Sequence, residues 1–198
     1  MINTLDYYNH NAASFVEDTQ YTDMRPVQDK FLALLNTGDS ILDFGCGSGR
    51  DTRYFLEKGY HVTATDGSAE CVKLASAYTG IEVKEMLFQD LRELRSYDGI
   101  WACSSILHLP KRELLPVLYS MCDALKPSGV IYTSFKYGQF EGERNDRYFT
   151  DFTEDTFQEF IQTIPGLFVE EVWITSDVRP GRSDEKWLNL ILRKQNIP

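Results

Sequence analysis

Residues 41–49 read Ile41-Leu42-Asp43-Phe44-Gly45-Cys46-Gly47-Ser48-Gly49, a short apolar strand that runs into three glycines at alternate positions. Residues 51–58 follow with a helical pattern that Gly59 closes. A glycine turn between strand and helix lets a ligand approach the backbone, because no Cβ stands in the way. The helix start beyond it offers free N–H groups and a positive dipole end. Two details narrow the ligand. The dinucleotide fingerprint spaces its glycines G-x-G-x-x-G, whereas here the third comes one residue earlier, at Gly49. Asp43, two residues before the first glycine, serves a pyrophosphate badly and an α-amino group well.

The flanking sequence alternates strand-like and helix-like stretches with short connections. Strands are expected over residues 40–44, 60–65, 81–87, 97–102, 130–135, 168–175 and 187–192. Helices are expected over 4–18, 26–36, 51–58, 69–78, 111–125 and 154–163. Repeated strand–helix–strand units imply right-handed crossovers and a mostly parallel sheet with helices on both faces. The last two strands have no helix between them and are expected to form an antiparallel hairpin at the sheet edge. The fold class is therefore α/β: a Rossmann-like, seven-stranded, mostly parallel sheet with a C-terminal antiparallel hairpin. With 198 residues and no linker or repeat, one domain is expected.

Acids recur where the next strands end. Asp66 lies 21 residues after Gly45, with Gly67 beside it. An acid about 20 residues on binds a ribose diol in such folds; alternatively Asp66 caps the following helix. After the third strand, Asp90 is placed to accept from an adenine amino group, with the Leu91 backbone N–H beside it for a ring nitrogen; an ordinary turn aspartate is the other reading.

The pattern Asp43-x-Gly45-x-Gly47-x-Gly49, Asp66, Asp90 and Tyr97-Asp98-Gly99-Ile100-Trp101 resembles the ordered motifs of class I S-adenosylmethionine-dependent methyltransferases. It is most similar to small bacterial enzymes of the tellurite-resistance or general small-molecule type. Residues 105–110 resemble the loop after strand four, and residues 125–130 the turn before strand five. The resemblance implies S-adenosyl-L-methionine as cofactor, with S-adenosyl-L-homocysteine as product. It implies that Asp43, Gly45, Cys46, Gly47 and Gly49 hold the methionine end, Asp66 the ribose and Asp90 the adenine. Arg50 replaces an uncharged residue of the family, and either pairs with the cofactor carboxylate or is a solvated helix start. Leu107 departs from the family's His-His form and leaves His108 alone.

The reaction implied is an in-line displacement at the methyl carbon, for which the enzyme chiefly positions the acceptor. A protonated acceptor also needs a base. His108, just past strand four at the ligand-binding edge, is the catalytic candidate, or it packs and touches cofactor. Cys103 is expected to line the cofactor. Residues 1–25 are expected to cover the cofactor's methionine end, through Tyr8 and Arg25, unless these only pack on the sheet. Residues 136–151 leave the fifth strand at the same edge and are expected to form a lid over the acceptor, with Arg144, Arg147 and Tyr148 reaching inward, or a solvated connection. Arg179-Pro180-Gly181-Arg182 is expected to be no more than the hairpin loop.

Composition weighs against other classes. Twenty Lys plus Arg against thirty Asp plus Glu give a formal charge of −10, which opposes a nucleic-acid partner. The segment Ala102-Cys103-Ser104-Ser105 also lacks the Asn/Asp-Pro-Pro-aromatic motif of base methylation. A nicotinamide reductase would need the G-x-G-x-x-G spacing, which the glycines at 45, 47 and 49 do not give. A non-catalytic S-adenosylmethionine-binding module is the first alternative, and a nucleic-acid methyltransferase the second. Cys46, Cys71, Cys103 and Cys122 form no C-x-x-C pair, so neither a metal nor a disulfide framework is expected. There is no basic run or apolar h-region at the N-terminus and no membrane-length apolar stretch, so a cytoplasmic location is expected.

Overall fold

The computed structural model describes residues 4–179 and 181–195. At its centre is β1 (Ser40–Phe44), whose Ile41, Leu42 and Phe44 are fully buried. It lies parallel to β2 (His61–Asp66) on one side and to β4 (Tyr97–Ala102) on the other. β3 (Lys84–Glu85) flanks β2, and β5 (Leu125–Lys136) flanks β4. The crossovers are α3 (Arg50–Glu57), α4 (Ala69–Thr79) and α5 (Lys111–Ala124). After α6 (Glu154–Ile161), β8 (Leu167–Ser176) and β9 (Lys186–Lys194) complete the sheet. β9 inserts antiparallel between β5 and β8, so the strand order is β3-β2-β1-β4-β5-β9-β8. The expected α/β sheet, with its C-terminal antiparallel pair, is present.

Apolar residues on each face build a separate core. Phe44, Ile100, Phe135 and Leu190 meet α5 and α6 on one face. On the other, Ile41, Trp101, Tyr132 and Ile191 meet α3 and α2 (Arg25–Leu32) through Phe55 and Phe31. α1 (Thr4–Thr19) is largely polar and crosses α4, where the Ser68 hydroxyl donates to Asn9 Oδ1 at 2.7 Å. Among the described residues, no helix is long and apolar enough to cross a membrane.

Three elements differ from the sequence expectation. The third strand, expected over 81–87, pairs only at Lys84 and Glu85, because Ile81 and Val83 pack with Ala75 of α4 instead. The turn expected before strand five is a bulge within β5: Leu125 faces Tyr97, Val130 faces Gly99, and Ser128 takes φ 64° in between. Residues 136–151 are not an irregular loop. They contain β6 (Glu141–Arg144) and β7 (Arg147–Thr150), paired antiparallel around Asn145 and Asp146 at φ 51° and 60°. Two successive left-handed residues make the tight turn that suits hairpin twist, and Asn and Asp tolerate it best after Gly.

Candidate active site

The glycine turn closes the C-terminal end of β1, and its three glycines do different work. A Cβ on Gly45 (φ 84°) would fall 2.5 Å from Ser105 Cβ, so the turn fits tightly against the segment after β4. Gly47 lines a large cavity, and a Cβ there would meet the Phe15 ring of α1 at 2.9 Å. Gly49 lies elsewhere. It is the N-cap of α3, and its Cβ would strike Thr79 Cγ2 of α4 at 2.7 Å. The third glycine therefore serves helix packing, and it is not among the cavity-lining residues, whereas Cys46 is.

The acids also separate. Asp66, at the end of β2, lines the cavity together with Gly67. Its two oxygens accept from the Gly47 and Ser68 backbone N–H groups, each at 2.9 Å. Burial raises its pKa, and these N–H donors oppose the rise. Each oxygen keeps a lone pair for a further donor. Asp43, by contrast, is 2% exposed and turned under the turn towards α3, where the Thr52 hydroxyl donates to it at 2.5 Å. Burial first, and then the nearby Asp51 carboxylate, push its pKa up. Asp43 thus braces α3 from below and does not reach the cavity. Asp90 is exposed on the short 3-10 turn Phe88–Asp90, and Leu91 is buried in the core. Met86, Leu87, Phe88 and Gln89 form the wall there instead. The turn directs its last residue outward, a rotation that a strand-end count does not show.

Arg50 lines the cavity but is neither solvated nor free: it grips its neighbour Asp51 through Nε and Nη2, both at 2.8 Å. Asp51 also accepts from Gln28 Nε2 at 2.6 Å and Trp101 Nε1 at 2.9 Å. Arg25 is exposed, paired with Asp23 at 2.8 Å and absent from the cavity wall, where Met24 and Pro26 stand.

The other end of the cavity is built around His108, on a short turn after β4. Its Nδ1 lies 2.7 Å from the Tyr148 carbonyl and its Nε2 lies 2.9 Å from the Tyr8 hydroxyl. A carbonyl only accepts, so Nδ1 carries the proton and Nε2 accepts from Tyr8. Burial lowers the His108 pKa to about 4, with Arg147 and Arg144 adding to the effect and the Tyr148 carbonyl opposing it. The ring is therefore a neutral imidazole at pH 7. Cys103 lines the same end, and burial pushes its pKa up to about 12, so it is a thiol and not a thiolate. Tyr148 lines the cavity and donates to Glu141 at 3.2 Å. Arg144 is held by Asp151 in two parallel bonds of 2.8 and 2.7 Å. Arg147 lies over Tyr7, with its guanidinium carbon 4.4 Å from the ring centroid. The cavity encloses about 1370 Å³.

Residues 41–129 match the methyltransferase domain family. A Bacillus subtilis protein named methyltransferase YqeM is 32% identical over 111 residues, covering 50% of this chain and 44% of YqeM. The chain thus spans less than half the length of that relative. An uncharacterised methyltransferase of Anoxybacillus flavithermus is 28% identical over 174 residues, 80% of each chain. Among solved structures, the Burkholderia thailandensis 1,6-didemethyltoxoflavin-N1-methyltransferase, with 1,6-didemethyltoxoflavin and S-adenosylhomocysteine bound, superposes with a TM-score of 0.76. It is 24% identical, and the superposition covers 96% of this chain and 85% of that one. The chain is thus similar to S-adenosylmethionine-dependent methyltransferases over residues 41–129 and in its fold.

The cavity fits the cofactor of those relatives, S-adenosylmethionine. Gly45, Cys46 and Gly47 line it, Asp66 retains acceptor capacity, and the volume exceeds the upper end, about 1,000 Å³, of ordinary ligand pockets. Cofactor and acceptor have room together. The sequence reading missed one wall of the cavity, formed by the loop between β8 and β9 and the start of β9. Asp177, Arg179, Arg182 and Trp187 all line it. Asp177 pairs with Arg179 at 2.6 Å, accepts from Trp187 Nε1 at 3.1 Å and faces Lys136 at 3.4 Å. The signal was topological: because β9 runs antiparallel to β5, Trp187 comes opposite Lys136, at the same edge where the parallel strands end. Pro180 of that loop lies outside the described residues.

Proposed function

We propose that the protein is an S-adenosylmethionine-dependent methyltransferase that transfers a methyl group to a small-molecule acceptor, with Tyr8 and His108 receiving the acceptor's proton. The observation that carries this reading is a single cavity joining the Gly45–Gly47 turn and Asp66 to the Tyr8–His108 pair. Bound S-adenosylmethionine supplies an electrophilic methyl group on a sulfonium centre. Asp66 accepts from the ribose hydroxyls, Gly45, Cys46 and Gly47 let the methionine end approach, and Met86 to Gln89 flank the base. Cys103 lines the His108 end of the cleft. The enzyme's contribution to an in-line displacement is then placement of the acceptor atom.

Where the acceptor is a hydroxyl or N–H group, its proton passes to Tyr8 as the Tyr8 proton passes to Nε2 of His108. A neutral imidazole with its lone pair aimed at Tyr8 is ready for that step. The formal charge of −10 and the enclosed cleft favour a small cytoplasmic molecule over a nucleic acid. The hairpin of β6 and β7 and the β8–β9 loop form the acceptor's walls. The test is to incubate the purified protein with methyl-tritiated S-adenosylmethionine and fractionated cell extract. Label should enter the small-molecule fraction. Label confined to nucleic acid or protein, or none despite measured binding of S-adenosylhomocysteine, would refute the reading.

A further inference from the structure

We infer that the acceptor carries a carboxylate-like anionic group, and that Arg147 is the residue that reads it; this rests on the methyltransferase reading above. The first ground is the state of the cations around the cavity. Arg50, Arg144 and Arg179 each hold a carboxylate, at 2.8, 2.7 and 2.6 Å. Lys136 sits between Asp177 and Glu185, and Arg112 and Arg182 have looser acidic neighbours at 3.6 and 4.0 Å. Lys186 is exposed and bonds to the Ser176 hydroxyl at 2.7 Å. Arg147 is different. It is half-buried, yet among the described residues no carboxylate lies within ion-pair distance of it. In a chain with ten more acids than bases, an unclaimed guanidinium in a cleft calls for a reason.

The second ground is how Arg147 is held. Its guanidinium carbon lies 4.4 Å from the Tyr7 ring, 5.2 Å from Phe149 and 6.0 Å from Tyr8. Aromatic faces attract a cation without using its N–H donors. Among the described residues its hydrogen bond to the backbone is a long one, from Nε to the Asn145 carbonyl at 3.5 Å, and a second donor serves the Tyr8 hydroxyl. Apart from the donor that Tyr8 takes, the planar fork therefore stays open, in the form that matches a carboxylate. The hairpin register makes this arrangement costly without a ligand: Arg147 pairs directly across from Arg144, and facing like charges destabilise a strand pair. Asp151 neutralises only Arg144.

The third ground is space. Beside Arg147 a polar side pocket of about 60 Å³ opens, bounded by Arg147, Arg179 and Arg182 with Asp18, Ser14 and Thr19. Three arginines outnumber the one acid on its wall. Arg147 also neighbours Tyr8, whose hydroxyl bonds His108, so an anion held here anchors the acceptor next to the proton-accepting pair.

The experiment titrates the protein, saturated with S-adenosylhomocysteine, with matched acid and amide probes: acetate and acetamide, benzoate and benzamide, indole-3-acetate and indole-3-acetamide. Calorimetry reads the affinities. At least one acid should bind tenfold or more tighter than its amide, and Arg147→Ala should bring that ratio to within twofold. The same variant should keep its affinity for S-adenosylhomocysteine within twofold and should not melt lower, because it breaks no ion pair. Equal binding of every pair, no binding of any acid, or an acid preference that survives Arg147→Ala would overturn the inference. Loss of S-adenosylhomocysteine binding in Arg147→Ala with the acid preference intact would assign the arginine to the cofactor's own carboxylate and also overturn it. Failure of the wild-type protein to bind S-adenosylhomocysteine at all would instead strike the methyltransferase reading.

Discussion

Replacing His108 with Gln tests the neutral imidazole directly. Gln can still donate to the Tyr148 carbonyl and accept from Tyr8, so the two bonds survive while the titration is removed. In the folded protein burial holds the His108 pKa at about 4, against roughly 6.5 for an unfolded chain. As pH falls below that unfolded value the unfolded state takes up a proton that the folded state refuses. Stability attributable to His108 is therefore present at pH 7 and is lost as pH falls from about 6.5 to about 4, approaching about 3 kcal/mol below both values. By pH 5 the loss is about 2 kcal/mol. Urea unfolding of wild type and His108→Gln at pH 7, 6 and 5 measures it. Other titrating groups cancel in the difference between the two proteins. Wild type should lose about 2 kcal/mol more than the variant between pH 7 and 5, with equal m-values. Equal losses would mean that His108 titrates as it does in water, and the argument for a neutral base would fall with it.

Asp66→Ala should weaken S-adenosylmethionine and S-adenosylhomocysteine alike by about 1.5–3 kcal/mol, the scale of a hydrogen bond to a charged group; unchanged calorimetric affinities would remove Asp66 from the site. Gly49→Ala should cost about 1–3 kcal/mol in urea unfolding, from its φ of 76° and the Thr79 contact. Adding Thr79→Ala should restore only the contact part, and full restoration would show that the backbone is unstrained. Asp51→Asn leaves Arg50 facing a neutral side chain in a buried network and should cost about 3–5 kcal/mol. Asp43→Asn should stay within about 1 kcal/mol at pH 7, because burial already favours the uncharged carboxyl. Similar losses for the two would refute the distinction drawn between them.

Residues 41–49 carried the strand–turn–helix unit at the centre of the fold and the place of the cavity's glycine turn. An apolar strand meeting alternate glycines and then a helix has few physical solutions, and the rest of the chain repeats the same strand–helix period. Asp66 was readable for the same reason: a residue at the end of a parallel strand next to β1 lies at the ligand-binding edge whatever the details of packing. His108 was readable as a position, since it follows β4 directly.

Rotations about the strand axis and contacts between distant segments were not readable. Asp43 and Asp66 both end strands, yet one points under the turn to Thr52 and the other into the cavity. Asp90 turns outward on a three-residue 3-10 turn, and Gly49 faces Thr79 across two helices. Arg25 and Arg50 look alike on paper, but their acidic neighbours Asp23 and Asp51 capture them locally. The Tyr8–His108 bond joins residues 100 positions apart, and the wall from the β8–β9 loop exists because β9 slides between β5 and β8. Local sequence determines which backbone shapes are affordable at each position. Which side chains meet is decided by how the finished layers pack, because only there do burial and hydrogen bonding select one partner for each polar group.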